Sequence, residues 1–284
     1  MKSLSIYRLR NLLLAVAALC LLGRFNASAN LLTALPEIGD LERWAEFSLG
    51  NTTLPNDHSG GSQIQGDVGV AGSGNINMSG STTINGDLYY RTNGTLHLSG
   101  GAEITGMRHH DASSDSILDN GVNEANNTSI DAATFMSSTA YAGLTNIMLS
   151  GHGSLTLTAQ HDRPGNTTVL NLQNLSLSGS STLTLQGTAT DNFIINVSKG
   201  FSLSGSSSIV LTGGIQWDDV LFNVTGTGST VDISGSSNIM SGIVMATQRK
   251  VNLSGSTIVR GEVVANQFVL SGSAQVIHPA ITSP

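Results

Sequence analysis

Phe201-Ser202-Leu203-Ser204-Gly205-Ser206-Ser207-Ser208-Ile209 sets the pattern of the whole chain. Alternating apolar residues lead into Ser-Gly, small polar residues follow, and an apolar residue resumes. Eight such phrases centre on Ser79, Ser99, Ser150, Ser178, Ser204, Ser234, Ser254 and Ser271, at steps of 20, 51, 28, 26, 30, 20 and 17 residues. Recurrence at roughly 20–30 residues marks a solenoid, in which each coil buries its apolar side only against its neighbours. Glycine can turn the coil corner at positive φ, and alternate residues such as Leu175, Leu177, Leu183 and Leu185 then point inward. The expected fold class is mainly β: a single β-solenoid with one inserted α-helix packed alongside.

The helix is expected inside a break at residues 108–147, where the Ser-Gly phrase disappears. Ile130, Ala133, Ser137, Ala140, Tyr141 and Leu144 fall on one helical face there, with Ser129 as a candidate N-cap and Gly143 near the end. Before the coils, Leu31, Leu32, Leu35, Ile38, Leu41, Trp44 and Phe47 suggest a cap over an open coil end. The expected organisation is a signal peptide over 1–29, an N-terminal capping segment over 30–62, and a solenoid over 63–284 interrupted at 108–147.

The first residues read as a secretory signal. Lys2, Arg8 and Arg10 precede the apolar run from Leu12 to Leu22, and Ala27-Ser28-Ala29 offers a cleavage site. That run is too short for a stable membrane span. Cleavage after Ala29 would remove Cys20, the single cysteine, and leave eight basic against nineteen acidic residues, a net of −11. Such a charge argues against nucleic acid and anionic membrane as partners. The expected location is secreted or extracellular, with attachment to the cell surface as a variant.

Only 11% of residues are charged, against about a quarter in ordinary soluble domains. The surface must therefore be Ser, Thr, Asn and Gly, a composition suited to an uncharged partner such as glycan or ordered water. One outward column is read just before the first apolar residue after each Ser-Gly: Thr83, Glu103, Ser154, Thr182, Ser208, Asn238, Thr257 and Gln275. From it Thr83, Ser154, Thr182, Ser208, Asn238 and Thr257 are the candidate binding residues. A second, less uniform column comprises Asn77, His97, Met148, Ser176, Ser202, Asp232, Asn252 and Val269.

Constellations for chemistry are weak. His109-His110-Asp111 lacks metal-ligand spacing, since adjacent strand residues face opposite ways. Asp67 and Asp87 occupy matching Gly-Asp-apolar turns and are read as turn caps. No Gly-x-Ser-x-Gly elbow with Asp and His partners is present. The expectation is no enzyme, no cofactor and no metal.

Phe47-Ser48-Leu49, Gly66-Asp67-Val68-Gly69-Val70, Asp191-Asn192-Phe193-Ile194-Ile195-Asn196-Val197, Val220 to Val224, Ser241 to Ala246 and Arg260 to Ala265 follow in an order that resembles the microbial ice-binding family. The resemblance implies a discontinuous three-sided solenoid with a flanking helix, and adsorption to ice without a cofactor. Ala71-Gly72-Ser73-Gly74 departs from that family's usual Ser-Pro-Gly turn. The same features resemble the choice-of-anchor secreted surface proteins. Three functions therefore stand: ice binding, a cell-surface or matrix adhesin that self-associates through its solenoid ends, and a glycan-binding or polysaccharide-active β-helix.

Overall fold

The computed structural model describes residues 41–50, 56–236 and 238–279, the side chain of Glu42 excepted. The expected signal segment and the start of the expected cap lie outside them. The described strands form a parallel solenoid of three faces, each coil crossing the first, second and third face in turn.

The first coil is β1 (Trp44–Ser48), β2 (Asn56–His58) and β3 (Gln63–Gln65), and the second β4 (Asp67–Val70), β5 (Ile76–Met78) and β6 (Thr83–Asn85). The third is β7 (Leu88–Tyr90), β8 (Leu96–Leu98) and β9 (Glu103–Ile104), after which β10 (Arg108–His109) returns to the first face. The helix α1 (Ala112–Thr134) follows. Coils resume with β11 (Asn146–Leu149), β12 (Ser154–Thr158), β13 (Thr167–Leu177), β14 (Thr182–Gln186), β15 (Asn192–Leu203), β16 (Ser208–Thr212), β17 (Val220–Val224) and β18 (Val231–Gly235). The last coils are β19 (Ile239–Gly255), β20 (Ile258–Leu270) and β21 (Gln275–Ile277).

The stacking order is not the chain order. Phe47 of β1 lies opposite Gly69 of β4 on one side and Val264 of β20 on the other. The first coil therefore sits in the middle of the rod. The chain builds from there to one end, crosses to the opposite end through α1, and builds back until β20 and β21 close on β1, β2 and β3. Trp44–Ser48, expected in a cap, is instead a fully buried strand with neighbours on both sides. Polar groups fill this junction. Asn56 Oδ1 accepts from Phe268 N at 2.8 Å and from Ser48 Oγ at 3.1 Å, and His58 Nε2 lies 3.0 Å from Glu46 Oε1.

Corners explain the Ser-Gly phrase. Gly205 has φ +72°, and a Cβ on it would lie 2.6 Å from the carbonyl oxygen of Gly179 in the coil below. Positive φ and close backbone stacking both demand glycine here. Inside, Ile64, Ile84, Leu183, Leu185, Ile209, Phe222 and Val259 belong to one continuous apolar core.

The 23 residues of α1 span about 34 Å at about 1.5 Å per residue. The nine stacked strands of the first face span about 38 Å at about 4.8 Å each, so one helix crosses the whole face. Asp111 caps it, accepting from Ser114 N at 2.8 Å. Its inner side is Ser114, Leu118, Gly121, Ala125, Thr128, Ser129 and Ala132. These are small because the face below is bulky: a Cβ on Gly121 would lie 2.7 Å from Phe47 Cζ. The expected apolar stripe is thus corrected. Ser129 is mid-helix, Ile130 and Ala133 point to solvent, and Tyr141 and Leu144 lie beyond the helix against the end of the core. An asparagine ladder fastens α1 down. Asn196 Nδ2 donates to Asn171 Oδ1 and to Ala132 O, both at 2.8 Å. Asn223 Nδ2 donates to Asn196 Oδ1 at 2.8 Å and to Ser129 O at 2.9 Å, and Ser129 Oγ donates to Asn223 Oδ1 at 2.7 Å.

Candidate functional site

With α1 over the first face, no helix among the described residues covers the second or third face. On the second face the backbone register aligns Met148, Ser176, Ser202, Asp232, Asn252, Val269, Asn77 and His97 in one outward column, as the sequence suggests, with Asp57 as its ninth member. That column carries Asp57, Asp232 and His97, and Asp57 Oδ1 accepts from Asn77 Nδ2 at 2.9 Å.

The third face carries the other column. Its register runs Ser154, Thr182, Ser208, Ile239, Ile258, Gln275, Gln63, Thr83 and Glu103. Thr83, Ser154, Thr182 and Ser208 therefore stand where the sequence places them. Asn238 and Thr257 do not: both are fully buried, one residue before Ile239 and Ile258. Asn238 Nδ2 donates to Ser234 O at 2.7 Å and Thr257 Oγ1 to Ser254 O at 2.8 Å, so both hold the corner from inside. In these two coils the first apolar residues after Ser-Gly, Ile239 and Ile258, take the outward positions.

Three strands make one part of this face wider and more uniform than the rest. β12, β14 and β16 each run five residues and pair without a register shift. Beside Ser154, Thr182 and Ser208 lie Thr156, Thr184 and Val210, and then Thr158, Gln186 and Thr212. Outward residues repeat about every 6.7 Å along a strand and about every 4.8 Å between strands, so the nine cover about 13 by 10 Å. None is charged. Thr182 Oγ1 lies 3.3 Å from Ser208 Oγ, and Val210 is 38% exposed. Six of the nine were missed, although Ser154-Leu155-Thr156-Leu157-Thr158 and Thr182-Leu183-Thr184-Leu185-Gln186 alternate visibly in the sequence.

The groups weighed for chemistry have structural work. Asp67 Oδ1 accepts from Asp87 N, and Asp87 Oδ1 from Met107 N, each at 2.8 Å. The Met107 N–H and then His109 hold the Asp87 carboxyl below its usual range. His109 stacks on Tyr89 at 4.1 Å and His110 on Tyr90 at 4.2 Å. Asp219 differs. Burial, with Asp218 and Asp191 nearby, pushes its carboxyl up to about 7 even though Gln216 N–H opposes the shift. Among the described residues no three His, Cys, Asp or Glu gather as a metal site, and no helix is long and apolar enough to cross a membrane.

A parallel three-faced solenoid, with a helix along one face and an uncharged array of in-register residues on another, defines a β-solenoid of the discontinuous, helix-flanked class. Within that class, the chain belongs to the Ice-binding-like family, whose model matches residues 49–276. No curated protein matches it. Among solved structures it is similar to a glycosylated ice-binding protein from an Arctic yeast, at 17% identity and a TM-score of 0.58, covering 87% of this chain and 95% of that one. An ice-binding protein from the Antarctic ascomycete Antarctomyces psychrotrophicus gives 18% and 0.53, covering 84% and 96%. An ice-binding protein domain of Shewanella frigidimarina gives 16% and 0.51, covering 84% and 95%.

Proposed function

We propose that this protein is an exported, non-enzymatic ice binder that adsorbs through the β12–β14–β16 part of its third face. The observation that carries this reading is the uncharged, register-perfect patch of Thr156, Thr158, Thr182, Thr184, Thr212, Ser154, Ser208, Gln186 and Val210 on a chain of this family. A surface that meets ice must be flat and rigid and carry short hydroxyl and methyl groups in a regular array. Parallel strands stacked in register supply the array, and the continuous core beneath supplies the rigidity. The covered first face, the charged column of the second, and Glu103 and Arg260 elsewhere on the third all fit this purpose less well. Similarity to named ice-binding proteins supports the same reading. The signal-like start of the sequence fits action outside the cell.

The test is thermal hysteresis and ice recrystallisation inhibition by the purified protein, beside Thr182→Tyr/Thr184→Tyr and Thr83→Tyr. The reading expects activity in the wild type, its loss in the folded double variant, and its retention in Thr83→Tyr. An inactive wild type would sink ice binding; an active double variant would move the face.

A further inference from the structure

We propose that the step where the third face narrows is a binding site for a carboxylate-bearing sugar unit, a function distinct from ice adsorption although the cleft shares Thr212 with the β12–β14–β16 patch. β16 runs to Thr212, and residues 213–219 then carry the chain to β17 on the first face. In the next two layers the third face stops at Ser241 and Arg260, because Gly242 and Gly261, at φ +135° and +140°, lead directly onto the first face. Residues 211–217, with Ser241, Arg260 and Pro279, line an open cleft of about 420 Å³, within the size range of small-molecule sites.

Two chemistries line this cleft. Half-buried Leu211, with the little of Ile215 and Trp217 that reaches the surface, forms one wall, and Trp217 makes an edge contact to His278 at 4.9 Å between ring centroids. Gln216, Ser241 and Arg260 supply polar groups. Arg91 pairs with Asp119, Arg163 and Arg249 donate to backbone carbonyls and Arg43 lies over Trp44 and Tyr89, but among the described residues no hydrogen bond or ion pair engages the exposed Arg260 guanidinium, a condition it shares with Arg108 of the first face. A free guanidinium matches a carboxylate through two parallel hydrogen bonds. The apolar wall suits the C–H face of a pyranose, and the amide and hydroxyl suit its hydroxyl groups. Nearby Asp219 is buried and accepts from Gln216 N at 2.8 Å, and Asp218 is half-buried. The ligand class is thus a uronic-acid unit of an acidic polysaccharide.

The experiment is a nuclear magnetic resonance titration of the full chain with a galacturonic acid trimer, a neutral maltotriose and sodium acetate. The Trp217 indole N–H and the Gly213 and Gly214 amides report on the cleft. The trimer should shift them with saturation in the millimolar range, about −4 kcal/mol, while maltotriose and acetate leave them in place. Arg260→Gln, at an exposed position, should weaken the trimer about tenfold or more, as expected on losing charge-assisted hydrogen bonds. Absence of any shift, equal shifts from acetate, or unchanged affinity in Arg260→Gln would each overturn the proposal. Its failure would leave the ice reading standing, because Arg260 lies outside the β12–β14–β16 patch.

Discussion

Replacing Asn223 by alanine tests whether the asparagine ladder holds α1 on the solenoid. Asn223 is fully buried between β17 and the helix, and its amide takes part in three hydrogen bonds of 2.7–2.9 Å. Asn223→Ala removes all three and strands Asn196 Oδ1 and Ser129 Oγ out of reach of water. At about 1 kcal/mol for each bond, the loss is about 3 kcal/mol, with burial of the stranded groups adding to it. In a domain of this size that lowers the melting temperature by about 6–12 °C. Urea denaturation and hydrogen exchange of the α1 amides measure it, and exchange should rise along the C-terminal half of the helix first. Ser129→Ala removes one of the same bonds, so the double variant should be less damaged than the two singles added, by about 1 kcal/mol. A loss below about 1 kcal/mol for Asn223→Ala, or strict additivity, would refute the reasoning.

Two further outcomes follow from buried charges. Arg249 fastens three layers, donating to Gly226 O at 2.8 Å, Ser198 O at 2.9 Å, Thr225 O at 2.6 Å and Lys199 O. Lysine cannot span that set, so Arg249→Lys should lower the urea midpoint by an amount worth about 2–3 kcal/mol, and an unchanged midpoint would contradict the role. Asp219 has a folded pKa of about 7 against an ordinary 3.8, so the fold binds this proton more tightly than the unfolded chain does. The stabilising contribution is complete at pH below 3.8, declines as pH rises toward 7, and stays low above it. Asp219→Asn should therefore gain on the wild type between about pH 4 and about pH 8, and parallel pH–stability curves would exclude the shift.

The solenoid was legible because Ser-Gly is a local signal: each corner imposes its own φ and spacing, whatever lies far away. The second-face column was legible for the same reason, since Asn77, His97 and Ser202 stand at fixed offsets from a corner. The position of α1 was not. Helical stripes are sought as apolar residues, and here the contact side is Ser114, Gly121, Ala125 and Thr128, selected to fit beneath Phe47 and the asparagine ladder. The mid-rod place of β1 was equally hidden, because pairing of Phe47 with Val264 leaves no trace near either residue. Asn238 and Thr257 were misplaced by hydrophobicity alone. A constant four-residue offset from the Ser-Gly serine would have found Ile258, though not Ile239, whose coil carries one residue more.

The junction at β1 changes what it means for this rod to be made and to come apart. In a simple stack the chain's termini are also the rod's ends, so coils fray singly and a truncation merely shortens the object. Here Ser48 and Asn266, 218 residues apart, meet at the waist. That contact closes a loop of 218 residues, and such long-range closure is slow. Proteolysis or truncation from either side would split the molecule at its middle and expose two raw strand edges, an all-or-nothing failure in a protein whose repeats look modular.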